Sequence, residues 1–188
     1  VEVGHYLRAV DQIPSLPMRV FLTAQIGLAG QRIEQLLRAK WVDFQDGLLW
    51  LVDGKGRGDP RTHIVPVPAW VAEQIERLRG LSDEWLFSIR GKKPIHPDSV
   101  THAVGRISKK LLESGVVGAS FSASDIRRTA ETQLAALRVS KDIRTELLSH
   151  GRNSLIAGRY DHHQYLEEKR EALDLWRNSL REWKKAQL

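Results

Sequence analysis

The sequence predicts an α+β domain that is mainly α-helical and carries a small three-stranded antiparallel sheet. Apolar residues recur with helical spacing over Pro17–Lys40 and over much of the chain after Pro68. Between these two parts the period changes to the alternation typical of strands, in Trp41–Phe44, Leu48–Val52 and His63–Val67. Because short loops containing glycine separate the three segments, we expect them to pair as neighbours in one sheet.

Capping residues and glycines delimit the predicted helices. Gly27 and Gly30 interrupt the first helical segment, which therefore divides into two helices joined by a glycine turn. Pro68 opens a helix that ends near Gly80. The remaining predicted helices run from Pro97 to about Leu112, from a cap at Ser122 or Ser124, from a cap at Ser140, and over about Gln164–Ala186.

The last predicted helix, residues 164–186, carries a stripe of large apolar side chains. They recur at spacings near three, four and seven residues, at Leu166, Leu173, Trp176, Leu180 and Trp183. Such a stripe needs a surface to cover it.

Charge and composition narrow the class of protein. The 188 residues contain 29 Lys and Arg against 23 Asp and Glu, a net charge of +6 that favours a polyanionic partner such as nucleic acid. Simple solubility is the alternative explanation of this charge. No apolar run approaches the length of a membrane span, so no membrane partner is expected. The absence of cysteine excludes disulfides and thiol chemistry and is consistent with the cytoplasm.

A glycine-rich turn, Gly54–Asp59, connects the second and third predicted strands and carries Lys55. It differs from a Walker loop, because Gly56 follows the lysine and a strand follows the turn. Lys55 on a flexible hairpin could reach DNA and protonate a leaving oxygen. The alternative is a solvated hairpin without a function.

Arg127 and Arg128 lie in the first turn of a predicted helix, where exposed N–H groups and the helix dipole favour a phosphate. The alternative is that both pair with Asp125 or Glu131 on a solvated face. A second basic group, Arg32, follows the glycine turn of the first helices. For Arg32 the alternative is a buried structural ion pair.

Downstream of the arginine helix, a short segment gathers four further polar groups. His150 closes a predicted helix, Tyr160 follows ten residues later, and Arg152 and Arg159 lie between them. A single histidine at a helix end is usually structural, so the prediction rests on the whole group. A tyrosine hydroxyl titrates near about 10, and neighbouring cations favour its anion, which could attack a phosphodiester.

We expect this chemistry to need neither a metal nor another cofactor. No cluster of Asp and Glu with the spacing of metal ligands lies near the basic groups. Arginines stay charged and bind phosphate through two hydrogen bonds, so they can supply the charge stabilisation. Because covalent attack conserves the phosphodiester energy in a phosphotyrosine, the cleavage would be reversible.

Taken in chain order, Arg32, Lys55, Arg127, His150 and Tyr160 resemble the catalytic set of the tyrosine recombinases, the phage integrase family. Ser124–Thr129 is similar to the family's His-x-x-Arg box, and the segment around His150 is similar to its Leu-Gly-His box. The resemblance covers roughly residues 17–176, and the tail at 165–170 resembles integrases of prophages and genomic islands. It implies a fold shared with the recombinases and the type IB topoisomerases.

The resemblance implies an enzyme that performs site-specific DNA recombination through a 3′-phosphotyrosine intermediate, for the integration or excision of a mobile element. Arg32 and Arg127 would clamp the phosphate, Lys55 would protonate the departing 5′ oxygen, His150 would bind a phosphate oxygen, and Tyr160 would be the nucleophile. Further contacts with double-stranded DNA are expected from Arg57, Arg61, Arg128, Arg152 and Arg159.

The resemblance also sets expectations for organisation. Residues 1–188 would form one C-terminal catalytic domain, without the N-terminal DNA-binding domains of the family. The full-length protein would form a tetramer on DNA, and the fragment could be monomeric. The helix at 164–186 resembles the family element that packs against a neighbouring protomer, and folding back onto its own domain is an equal alternative. The implied location is the bacterial cytoplasm, in association with the nucleoid.

Two positions depart from the family pattern. Ser124 stands where the box has histidine, and Gln35 stands where an acid usually follows the first arginine. Serine donates a hydrogen bond but is a poor base at neutral pH, so proton acceptance cannot be assigned to this position. The alternatives are therefore a catalytically impaired remnant that only binds DNA, and a type IB topoisomerase activity. An RNA-binding protein is a weaker alternative, because no aromatic platform is evident.

Overall fold

The computed structural model describes residues 2–53, 61–149 and 164–186, without the side chain of Arg61. In these ranges it contains three strands, β1 Phe44–Gln45, β2 Leu48–Asp53 and β3 Arg61–Pro66. The helices there are α1 Glu2–Asp11, α2 Leu16–Gly27, α3 Ile33–Leu37, α4 Ala69–Glu76, α5 Pro97–Glu113, α6 Ala123–Ala136, α7 Lys141–Leu147 and α8 Leu166–Lys185. None of these helices is both long enough and apolar enough to cross a bilayer. The predicted fold class, mainly helical with a small antiparallel sheet, is confirmed.

The three strands pair in the order β1-β2-β3, and both pairs are antiparallel. The alternation along β2 turns Leu49, Leu51 and Asp53 inward and leaves Trp50 and Val52 exposed. Two aliphatic side chains and one carboxylate therefore lie on the buried face of this strand.

The first strand is shorter than the expected Trp41–Phe44. Trp41–Asp43 forms a 3₁₀ turn, and only Phe44 and Gln45 pair with β2. The indole of Trp41 donates a hydrogen bond to the carbonyl of Ser82 at 2.8 Å, and its backbone N–H donates to that of Glu84 at 3.0 Å. These distant contacts turn the backbone away from the sheet, which the local alternation could not indicate.

Helix α1 was not expected from the sequence. It buries Tyr6 and Val10, and it packs against α2, α5 and α8. The ring of Tyr6 meets Phe121 edge to face, with 5.8 Å between the centroids. Val3, Tyr6, Leu7 and Val10 recur with helical spacing, so the sequence carries a signal for this helix that the prediction missed.

Helix α2 is the centre of the core, since most of its residues are buried. It contacts α1, α4, α6 and α8, and Phe21 meets Phe87 edge to face at 5.2 Å. The end of α2 is therefore held from several sides, which gives the glycine turn after it a defined position.

Helix α8 packs its apolar stripe against its own chain. Leu173, Trp176 and Leu180 are buried, and α8 contacts α1, α2, α6, α7 and β3. The indole N–H of Trp176 donates to the carbonyl of Ile26 at 2.6 Å. The structure thus shows the arrangement within one chain, and packing on a neighbouring protomer stays a prediction.

Replacing Trp176 by alanine should lower the free energy of unfolding by about 3–5 kcal/mol, because a fully buried indole and its hydrogen bond to Ile26 are lost. Chemical denaturation measures the change. Leu175→Ala on the same helix removes a side chain that is 40% exposed and should change the value by less than about 0.5 kcal/mol. Equal effects of the two substitutions would contradict the packing described for α8.

Candidate functional site

A cleft of about 490 Å³ opens where the turn after α2, the end of β2 and the start of α6 meet. Its lining includes Arg32, Ser124 and Arg127, three of the residues predicted for the site. Asp53 of β2, Glu34 and Arg38 are the other charged residues of the lining. The fold therefore brings two arginines from distant parts of the sequence to one cavity.

Helix α6 begins with a capping box that determines the place of Ser124. The cap is Ser122, whose hydroxyl and backbone N–H both donate to Oδ2 of Asp125, at 2.7 and 2.8 Å. Of the two serines expected as caps, the structure therefore selects Ser122. Ser124 lies in the first turn, exposed on the wall of the cleft, where its hydroxyl is available to an anion.

The guanidinium of Arg127 is partly buried and held by main-chain carbonyls. Nη1 donates to the carbonyl of Gly30 at 3.2 Å, and Nη2 donates to that of Leu148. Burial and then the charge of Arg32 lower the pKa of Arg127 to about 10, so the group stays charged at neutral pH. Among the described residues it forms no ion pair with a carboxylate, so its charge remains available to an anion in the cleft.

The neighbouring Arg128 has a different environment. It pairs with Asp125 at 2.7 Å, within the same helix turn, and its side chain is 76% exposed. The solvated ion pair considered from the sequence thus applies to Arg128 and not to Arg127. A contact of Arg128 with DNA stays a prediction.

Arg32 precedes α3 and reaches across the cleft to β2. Its Nη1 lies 3.2 Å from Oδ2 of Asp53, and the two side chains are 25% and 5% exposed. The hydroxyl of Ser149 donates to the same carboxylate oxygen. The ion pair considered as the alternative for Arg32 is therefore present, and it lies inside the cleft.

Asp53 was not identified from the sequence, although a signal for it exists. It occupies the third inward position of β2, after Leu49 and Leu51, and directly precedes Gly54. A carboxylate on the buried face of a strand needs a charged partner or hydrogen-bond donors. A polar residue that breaks an apolar alternation beside a glycine hairpin is thus the pattern that points to it.

Gly30 allows α6 to approach the turn after α2. Its φ is +75°, and a Cβ built on it would lie 2.6 Å from Cα of Arg127. Its own N–H donates to the carbonyl of Gln25 at 2.7 Å, which closes the end of α2. Both the backbone conformation and the space at this position require glycine.

Gln31 and His63 form a buried polar network beneath the cleft. The amide nitrogen of Gln31 donates to the carbonyls of Leu28 and Leu147, each at 2.9 Å. Its amide oxygen lies 3.2 Å from Nε2 of His63, which acts as the donor. The network joins the turn after α2 to the end of α7 and to β3, and neither residue was identified from the sequence.

His63 is neutral in this network. Burial, followed by the charge of Lys169, lowers the pKa of His63 to about 3. It occupies an inward position of β3, opposite Leu51. As with Asp53, the signal in the sequence is a polar residue on the buried face of a strand.

Six of the predicted residues lie outside the described ranges, namely Lys55, Arg57, His150, Arg152, Arg159 and Tyr160. Two of their described neighbours are in contact, since the hydroxyl of Ser149 donates to the carboxylate of Asp53, which lines the cleft. Asp53 ends β2 before the Gly54–Asp59 segment, Arg61 opposite it begins β3, and Ser149 directly precedes His150.

Among the described residues, no three His, Asp or Glu side chains lie close enough to hold a metal ion. Metal-free chemistry stays a prediction.

The fold is that of the tyrosine recombinases. The XerH site-specific recombinase, solved in a pre-cleavage complex with its difH substrate, matches 80% of this chain and 46% of that one, with a TM-score of 0.62 and 19% identity. The catalytic core of lambda integrase matches 82% of this chain and 91% of that one, with a TM-score of 0.59 and 17% identity.

The chain belongs to the phage integrase family, whose model matches residues 7–167. The integrase of Shigella phage Sf6 is 28% identical to it over 158 residues. The match covers 80% of this chain and 39% of the phage protein, so the chain spans about two fifths of this relative. The resemblance found in the sequence is confirmed.

Gly30→Ala should lower the free energy of unfolding by about 1–3 kcal/mol or more, because alanine is strained at this φ and collides with the backbone of Arg127. Gly47→Ala is the matched control, since Gly47 has a φ of +70° but no atom within 4 Å of the place that a Cβ would take. Chemical denaturation compares the two. An equal loss in the free energy of unfolding of both variants would contradict a close approach of α6 to Gly30.

Protein stability should fall as the pH is lowered from about 6.5 to 3, because the unfolded chain binds a proton at His63 that the folded protein excludes. The loss from this group is about 1.4 kcal/mol per pH unit within that window. His63→Gln should remove this part of the slope in denaturation curves recorded between pH 4 and 6. The exposed His102→Gln should leave the slope as it is. An unchanged slope in His63→Gln would contradict a neutral buried imidazole.

Proposed function

We propose that this chain is the catalytic domain of an integrase that recombines DNA at specific sites, for the integration or excision of a mobile element. The observation that carries the proposal is the presence of Arg32 and Arg127 in one cleft beside an exposed Ser124. Membership of the phage integrase family and the match with the Sf6 integrase support the same activity.

The electrostatics of the cleft suit a phosphodiester. The two arginines are close enough for the charge of Arg32 to lower the pKa of Arg127. An anion between two like charges relieves their repulsion, and guanidinium groups match the geometry of phosphate oxygens. We therefore assign both arginines to the non-bridging oxygens of the scissile phosphate, with Ser124 as a further donor.

The remaining roles follow from the family. The phenolate of Tyr160 attacks phosphorus, the bond from phosphorus to the 5′ oxygen breaks, and Lys55 gives that oxygen its proton. His150 donates a hydrogen bond to a phosphate oxygen. The reverse reaction, with a 5′ hydroxyl of a partner duplex as the nucleophile, completes strand exchange. The reaction needs no metal or cofactor in this scheme.

Double-stranded DNA is the proposed partner, in a tetramer of the full-length protein. The excess of positive charge supports this partner, and Arg57, Arg61, Arg128, Arg152 and Arg159 are the proposed further contacts with the DNA backbone. The proposed location is the bacterial cytoplasm, in association with the nucleoid.

The test is covalent capture on nicked duplex DNA whose sequence is randomised around the nick. The chain should form a 3′-phosphotyrosine adduct that Tyr160→Phe abolishes, and Arg127→Ala should slow capture by about 10²–10³-fold. The control is Arg77→Ala, which removes an exposed arginine at the C-terminal end of α4. This variant should capture DNA at the rate of the unaltered chain. Denaturing gels measure the adduct.

Two outcomes would contradict the proposal and favour the alternatives. Failure to capture any duplex would favour a remnant that binds DNA without cleaving it. Capture together with relaxation of plasmids, but without recombination between two sites, would favour a type IB topoisomerase activity.

A further inference from the structure

We infer that Asp53 is a positioning residue for Arg32 and takes the place of the acid that is absent at Gln35. The inference rests on the proposed function, since Arg32 is the residue assigned to the scissile phosphate. It differs from the family pattern, in which the acid lies three residues after the first arginine.

The contacts of Asp53 support the assignment. Its carboxylate is 5% exposed, lies 3.2 Å from Nη1 of Arg32, and accepts a hydrogen bond from the hydroxyl of Ser149. A buried carboxylate holds a guanidinium in one orientation more firmly than an exposed pair does, because water cannot replace it easily. Asp53 is thus placed to determine where Arg32 points.

Position 35 does not perform this task in the present chain. Gln35 is 8% exposed and lines the cleft, yet neither its amide nitrogen nor its amide oxygen has a hydrogen-bond partner among the described residues. The acid beside it, Glu34, is 72% exposed and pairs with Arg38 at 3.8 Å. Of the acids in this part of the fold, Asp53 is therefore the one that reaches Arg32.

The position of this acid on β2, and not on α3, has a structural consequence. Asp53 ends the strand that leads to the segment carrying Lys55, and its partner Ser149 directly precedes His150. Ser149 has a φ of +48°, so a specific backbone turn presents its hydroxyl to the carboxylate. One carboxylate thus links Arg32 to the strand before Lys55 and to the turn before His150.

Asp53 acts through Arg32 and not on the substrate. A carboxylate in contact with a phosphate would repel it, whereas one behind the guanidinium keeps the arginine oriented toward the cleft. Loss of the charge should therefore lower the rate of cleavage, with little effect on the DNA affinity of the whole surface.

The experiment measures single-turnover cleavage of a nicked duplex at saturating DNA, with the unaltered chain, Asp53→Asn, Gln35→Glu and the double variant. Asp53→Asn should cleave about 10–100-fold more slowly, since small displacements of a reacting group have effects of this size. Gln35→Glu in the Asp53→Asn background should recover most of the rate, because Arg32 is the N-cap of α3 and a side chain at the third helical position can reach back toward the cap. If Asp53 only stabilised the fold, an acid at position 35 of α3 would not restore the rate of cleavage.

The matched control is Asp174→Asn, which makes the same chemical change at an exposed position of α8 and should leave the rate unchanged. Chemical denaturation verifies that Asp53→Asn is folded under the assay conditions. The inference is overturned if Asp53→Asn cleaves at the rate of the unaltered chain, or if the double variant stays as slow as Asp53→Asn.

A second measurement separates this inference from the proposed function. If the unaltered chain captures no DNA, the function fails, but the side-chain N–H signal of Arg32 in nuclear magnetic resonance still reports the positioning. That signal should broaden or shift in Asp53→Asn and return in the double variant. A signal that Asp53→Asn leaves unchanged would overturn the inference whether or not DNA is cleaved.

Discussion

Two like charges must be held in one cleft, and the hydrogen bonds of Arg127 make this possible. Its guanidinium lies between the carbonyls of Gly30 and Leu148, which offset part of the burial cost without neutralising the charge. A carboxylate in their place would compete with an anionic ligand. The glycine conformation at Gly30 and the position of α7 both serve this geometry, because each supplies one of the two carbonyls.

The small sheet contributes polar groups to an otherwise helical protein. Asp53 lies on the inward face of β2 and pairs with Arg32. His63 lies on the inward face of β3 and donates to Gln31. Gln31 in turn joins the turn after α2 to the end of α7. The two arginines are therefore held by groups from β2, the turn after α2 and the end of α7, and a rigid support of this kind is what a preorganised site for a charged transition state requires.

The fold class could be predicted because hydrophobic periodicity is a local property. It was sufficient for α5, α6 and α8, whose apolar residues lie on one face. Helix α2 is buried on most of its surface and was recognised from its many apolar residues between Pro17 and Gly27. The helical spacing of Val3, Tyr6, Leu7 and Val10 in α1 was overlooked. Periodicity was not sufficient for Trp41, whose backbone follows contacts with the segment around Glu84. At Trp41 a distant partner determines the conformation, which a local pattern does not contain.

The sequence by itself determined which chemical groups are present, their order along the chain and the family to which that order belongs. It also indicated Arg32, Ser124 and Arg127, which share one cleft in the structure. Only the tertiary structure decided that Asp53 rather than an acid on α3 pairs with Arg32, and that Arg127 rather than Arg128 faces the cleft. The physical reason is that ion pairing and burial depend on which distant segments pack together, and neighbouring residues of a helix point in different directions.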